Sequence, residues 1–232
     1  MMEKKAVCLI SGGLDSCVTA YIAKKLDYNI YSLSFKYGQQ HNKELDCAKI
    51  ISSELKAKNH TVFKLNINIF GGSSLFKGKF NNTKKDISEI GKTIPSTYVP
   101  ARNTIFLSIS LAYAETINAN AIYIGVTSED YSGYPDCRPD YIKSFQNLAN
   151  IATKKSIENG KILIKAPLIH LSKAEIIRKG YKLNVPFNKT WSCYKGGKKA
   201  CGQCDSCLLR LKGFKESNLK DPINYESMPK WY

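Results

Sequence analysis

The 232-residue chain has no apolar run approaching the roughly 20 residues that a membrane-spanning helix needs, so a helical membrane protein is excluded. It has no internal repeat, which excludes a solenoid or a propeller. It is poor in arginine, with four against 31 lysines. Arginine is the better reader of phosphates and base edges, so its scarcity argues against a nucleic-acid-reading face despite a formal charge of +16. The lysines are scattered and form no run of five, which reads as solvated surface. The Met-Met-Glu-Lys-Lys start runs straight into a strand-like stretch, with no secretory signal, and predicts a cytoplasmic protein. What remains is a chain of ordinary hydrophobic content, 43%, long enough for one sizeable domain with a small appendage.

Strand-like and helix-like patterns alternate through the first 165 residues. Strands are predicted at 6–10, 30–35, 61–67, 121–126 and 162–165, and helices at 16–26, 42–55, 104–117 and 141–158. This order predicts an α/β fold: a Rossmann-like, doubly wound, parallel five-stranded sheet covered on both faces. Residues 70–100, with Gly-Gly, Asn-Asn and Lys-Lys-Asp, break the pattern and read as a mobile insertion or lid. Residues 166–232 read as a small helical lobe. Within it, Ser172-x-x-Glu175 is a capping box and Gly180 is the expected helix stop.

Ser11-Gly12-Gly13-Leu14-Asp15-Ser16 follows a buried strand and opens a helix. Glycines let a backbone approach a ligand closely, and a helix N-terminus offers unpaired N–H groups to phosphate. Neither a Gly-Lys-Ser/Thr continuation nor a Gly-x-Gly-x-x-Gly pattern is present in this loop, so it is not a Walker A loop or a dinucleotide fingerprint. It resembles the PP-loop of the ATP pyrophosphatase superfamily, whose loop grips the β,γ-pyrophosphate and leaves the α-phosphorus open to a substrate oxygen. The expected ATP-binding residues are Ile10, Ser11, Gly12, Gly13, Leu14, Asp15, Ser16, Cys17, Val18, Thr19 and Ala20. Asp15 is expected to hold the loop or to help bind Mg²⁺.

Cys193, Cys201, Cys204 and Cys207 supply four soft ligands within fifteen positions. That pattern predicts a closed structural Zn²⁺ site, with an iron–sulfur cluster as the rival on spacing alone. Cys8, Cys17, Cys47 and Cys137 are dispersed.

Further segments complete a set. They are Tyr37-Gly38-Gln39-Gln40-His41, Tyr98-Val99-Pro100-Ala101-Arg102-Asn103, Asp130-Tyr131-Ser132-Gly133-Tyr134-Pro135-Asp136-Cys137-Arg138-Pro139 and Thr190-Trp191-Ser192-Cys193-Tyr194. In this order they resemble the 7-cyano-7-deazaguanine synthase family over essentially the whole chain. One departure is Ala101, where glycine is expected. The resemblance implies a ligase that converts 7-carboxy-7-deazaguanine, ammonia and ATP into the 7-cyano compound for queuosine. It also implies one zinc per chain on the four cysteines and a homodimer, at which the aromatic tail hints as well. Neither direct nucleic-acid binding nor a membrane is expected.

Within that chemistry Arg102 and Lys173 are the candidate cations for charge developing at the α-phosphate, alongside Asp15. A deazaguanine offers adjacent N–H donors that one carboxylate accepts in pairs. Asp130, Asp136 and Asp140 are the available acids, Tyr131 and Tyr134 the stacking surfaces, and Arg138 is grouped with them. His41 is a candidate proton shuttle, and Cys137 reads as a small buried thiol rather than a nucleophile. Two rivals stand beside this reading: a PP-loop enzyme acting directly on tRNA, and a non-catalytic zinc-ribbon nucleic-acid binder.

Overall fold

The computed structural model describes residues 3–39, 42–76, 90, 93–130, 133–158 and 160–232. His41, Tyr131 and residues 77–89, 91 and 92 of the predicted 70–100 insertion lie outside the described residues. Five strands form one parallel sheet: β1 (Lys5–Leu9), β2 (Asn29–Lys36), β3 (Asn59–Lys64), β4 (Ala121–Tyr123) and β5 (Leu163–Lys165). Their order is β3-β2-β1-β4-β5, and every pairing is parallel. The order reverses between β1 and β4, so a crevice opens at their carboxyl ends, where ligands of doubly wound sheets bind.

Alternation along β1 separates two cores. Ala6, Cys8 and Ile10 face one layer, packed under α1 (Leu14–Lys25), α2 (Lys43–Glu54), α6 (Lys173–Lys182) and α7 (Asp205–Glu216). Val7 and Leu9 face the other, under α3 (Arg102–Thr116) and α4 (Pro139–Ala152). Leu168, Ile176, Ile177 and Phe214 belong to the first core, so that core runs on past residue 165. The cysteine loop forms a third, satellite cluster with Trp191.

Two local readings change. The capping box of α6 forms, with the Glu175 carboxylate accepting from Ser172 N at 2.8 Å, but Gly180 lies inside α6 and does not end it. A Cβ at Gly180 would lie 2.5 Å from Phe187 Cζ and 2.8 Å from Val18 Cγ2, so this glycine lets α6 cross α1. The predicted helix over 141–158 is two helices, α4 and α5 (Lys154–Glu158), broken where Thr153 turns extended (φ −124°, ψ 141°). The aromatic tail folds back on its own lobe. Lys215 Nζ donates to Trp231 O, and Asp221 N donates to the Tyr232 hydroxyl at 3.3 Å.

The lobe is fastened by a buried ion pair. The Arg210 guanidinium donates to Asp221 Oδ2 at 2.7 Å and Oδ1 at 2.9 Å, to Thr190 Oγ1 at 2.7 Å and to Phe187 O at 3.2 Å. A buried charge that loses its partner costs far more than the pair contributes. Asp221→Ala is therefore expected to lower stability by about 3–5 kcal/mol in urea unfolding, leaving Arg210 uncompensated.

Candidate active site

The carboxyl ends of β1, β2 and β4 open into a cavity of about 280 Å³. Strand ends give an apolar floor through Ile10, Leu33, Phe35 and Ile124. The glycine loop forms one wall with Ser11, Gly13, Asp15 and Ser16, and Arg102, Asp130 and Tyr134 stand across from it. Gly12 has φ +89°, a conformation that glycine adopts freely. The loop is tied from within: Ser16 Oγ donates to Gly13 O at 3.0 Å, and Gly13 N donates to Ser11 Oγ at 3.2 Å. Lys173, at the start of α6, places Nζ 2.8 Å from both Asp15 oxygens. The three residues expected to meet the α-phosphate are thus distributed around one space: Asp15 and Arg102 line it, and Lys173 is bonded to Asp15.

The remaining loop residues divide. Leu14 turns toward a second, smaller cavity, while Cys17, Val18, Thr19 and Ala20 are buried inside α1. Arg102 is half-buried, its guanidinium 6.0 Å from the ring centroids of both Tyr37 and Tyr134.

Among the proposed substrate residues, Asp130 and Tyr134 line the cavity and Asp136 does not. Asp136 Oδ2 accepts from Asn103 N at 2.8 Å, so its carboxylate caps the first turn of α3 from another loop. Arg138 is the residue from which α4 starts and is not in the cavity lining. Asp140 lies in the first turn of α4. Asp130 Oδ2 accepts from Thr127 N at 2.8 Å and Thr127 Oγ1 at 2.9 Å, while burial raises its pKa and Lys173 opposes that rise. The Cys137 thiol lines the cavity, but burial drives its pKa upward and keeps it protonated.

The lining residues given no role in the sequence include Glu44 and Tyr194. Glu44, in the first turn of α2, reads there as an acid favouring a helix N-terminus. It faces the cavity, where burial, partly offset by Arg102, pushes its pKa up to about 7. Tyr194, next to a cysteine ligand, lines both cavities.

The four cysteine sulfurs lie within 4.8 Å of one another, and the Cys201–Cys207 separation is 3.9 Å. Tetrahedral zinc–thiolate bonds of about 2.3 Å require sulfurs about 3.8 Å apart, so the donor set fits. Backbone amides of Lys195 and Cys201 point at Cys193 Sγ, 3.4 and 3.3 Å away. Hydrogen bonds from Cys204 and Cys207, then these amides, hold the Cys193 thiol far below its ordinary range. This lobe touches the glycine loop directly: Trp191 N donates to Gly12 O at 2.9 Å.

The family described as queuosine biosynthesis protein QueC matches residues 5–218. A Coxiella burnetii protein named 7-cyano-7-deazaguanine synthase is 53% identical over 226 residues, 96% of this chain and 98% of the relative. One of the same name from Picrophilus torridus is 50% identical over 228 residues, 98% of this chain and 94% of the relative. The solved NMN synthetase of Francisella tularensis shares the fold at 16% identity and TM-score 0.50, covering 94% of this chain and 79% of that one.

The raised Glu44 pKa has a stability consequence. The folded state holds the proton to higher pH than the unfolded chain, so stability falls as pH rises from the ordinary carboxylate range through about 7. Glu44→Gln is expected to raise the thermal midpoint at about pH 8 and to leave it nearly unchanged at about pH 4. Equal shifts at both would contradict the burial of this carboxyl.

Proposed function

The chain belongs to the queuosine biosynthesis protein family QueC, and from that premise we propose how its cavity converts a carboxylate into a nitrile. It is an ATP-using ligase, a 7-cyano-7-deazaguanine synthase acting in the cytoplasm. No described helix is long and apolar enough to cross a membrane. The observation that carries the site assignment is that one cavity joins the glycine loop, Arg102 and Asp130.

The substrate is 7-carboxy-7-deazaguanine. Its carboxylate oxygen attacks the α-phosphorus of Mg-ATP, the P–O bond to pyrophosphate breaks, and an acyl adenylate forms. Ammonia, formed when ammonium loses a proton to water, attacks the acyl carbon. The C–O bond to AMP breaks, nitrogen releases a proton, and the amide remains. The amide oxygen then attacks a second ATP. Loss of AMP with that oxygen and of the N–H protons completes the C≡N bond. The loop amides and hydroxyls hold the departing pyrophosphate. Arg102 and Lys173 oppose charge growing at the α-phosphate, and Asp15 keeps Lys173 aimed at the loop.

Asp130 is the acid of the original three that faces the cavity, so it is assigned to the paired donors of the deazaguanine edge, with Tyr134 against the ring. Cys193, Cys201, Cys204 and Cys207 hold zinc, which supplies cross-linking and no reactive position. The chain pairs as a homodimer. The exposed Ile151 and Ile157 at the end of the α4–α5 segment are apolar side chains that pairing would cover.

The direct test is incubation with 7-carboxy-7-deazaguanine, ammonium and Mg-ATP, followed by mass spectrometry for the nitrile. Its absence from folded, zinc-loaded protein overturns the assignment. Asp130→Asn is expected to raise KM for the deazaguanine about tenfold or more and to leave KM for ATP nearly constant, because one charge-assisted bond is weakened. Equal losses for both substrates would remove Asp130 from this role.

Zinc removal is expected to weaken ATP binding in calorimetry before the sheet unfolds, since the Trp191–Gly12 bond ties the cysteine loop to the phosphate loop. Unchanged ATP affinity in zinc-free, folded protein would show the two to be uncoupled.

A further inference from the structure

Behind the glycine loop lies the second cavity, of about 150 Å³. It is about half the volume of the first cavity, so it suits a small ion better than a nucleotide or a heterocycle. It has room for a small ion and a few waters, each water occupying about 30 Å³.

It is not isolated. Asp15, Thr97, Asp130, Tyr134 and Tyr194 line both cavities, so the two share a partition beside the reacting centre.

Its charge is distinctive in a chain of formal charge +16. Three carboxylates line it, Asp15, Asp130 and Asp205, with Lys173 and Arg210 as lining cations. Both cations are engaged. Lys173 spans the two oxygens of Asp15, and Arg210 spans the two oxygens of Asp221. Three carboxylates against two cations leave the described lining net negative. Asp130 is anchored through Oδ2 in both of its bonds to Thr127. Hydroxyls of Ser192 and Ser206 add acceptors, and the rings of Tyr134 and Tyr194 offer faces that favour a cation.

We propose that this cavity is the ammonium site of the enzyme: a compact cation with four N–H donors is held beside the adenylate, on the far side of the partition from the cavity that takes the deazaguanine. The inference rests on the proposed reaction, in which the first half consumes ammonia and the second half, amide to nitrile, consumes none.

That asymmetry supplies the test. Asp205→Asn and, separately, the cavity-filling Leu209→Trp would be assayed in two reactions. One starts from 7-carboxy-7-deazaguanine with varied ammonium chloride and Mg-ATP. The other starts from 7-amido-7-deazaguanine with Mg-ATP and no ammonium. Each variant is expected to raise KM for ammonium about tenfold or more, Asp205→Asn by weakening one charge-assisted hydrogen bond and Leu209→Trp by taking up the space, with ATP and Mg²⁺ dependence unchanged. Nitrile formation from the amide should proceed at the parent rate, which also shows that the variant is folded and zinc-loaded. An unchanged ammonium KM in both variants, or a shift in Mg²⁺ dependence instead, would overturn the proposal. So would an equal loss in both reactions. Failure of the parent protein itself to convert the amide would instead sink the underlying reaction.

Discussion

Gly12 is where the site is most tightly constrained. A Cβ there would sit 2.0 Å from Glu44 O and 3.0 Å from Ala48 N, so α2 rests on bare backbone. From the other side Trp191 N bonds to Gly12 O, and a Cβ at Gly125, beyond β4, would come within 2.9 Å of Ser16 N. Three separate pieces of chain thus close on one loop at distances that only backbone contact permits. A loop clamped this way presents its N–H groups without reorganising, and donors fixed in advance stabilise developing charge best. The positions of Glu44, Arg102 and Tyr194 follow from the same contacts, because each belongs to a segment that touches the loop or the sheet ends beside it.

Much of the architecture was legible because it is local. Apolar runs of strand length, alternating with helical periods, marked five parallel strands along the chain, and the loop declared itself by two glycines between strand and helix. The four cysteines were equally plain, since metal ligation constrains spacing. What escaped depends on partners distant in the chain. Gly180 has the composition of a helix stop, yet it is kept free of a side chain by Val18 and Phe187, and Asn184 (φ +55°) follows the true end of α6. Asp136 sits amid motif residues, but its carboxylate is occupied by the N-terminus of α3. Glu44 looks like any acid in a first helical turn. Only the fold turns it inward.

Ala101 links sequence and backbone in another way. The resemblance led us to expect glycine there, and the residue has φ +52°, in the left-handed region. A side chain in that region costs about 1–2 kcal/mol. The strain lies immediately before Arg102, and backbone strain of this kind concentrates at functional positions because the surroundings hold it there. Arg102 therefore enters the cavity from a geometry fixed by the turn and by the Asp136 cap of α3.

Trp191 stands between the two chemistries of the molecule. It is buried, its indole N–H donates to Cys193 O at 2.9 Å, its backbone N–H reaches the loop, and the Lys43 ammonium lies 3.8 Å above its ring. Lys43 in turn donates to Gly197 O at 2.7 Å in the cysteine loop. Because indole emission responds to nearby charge and hydration, the protein carries its own optical probe at the junction. With the second indole removed by Trp231→Phe, a spectral shift on nucleotide addition, or on metal loss, would arise from this one ring and could be followed in real time without a label.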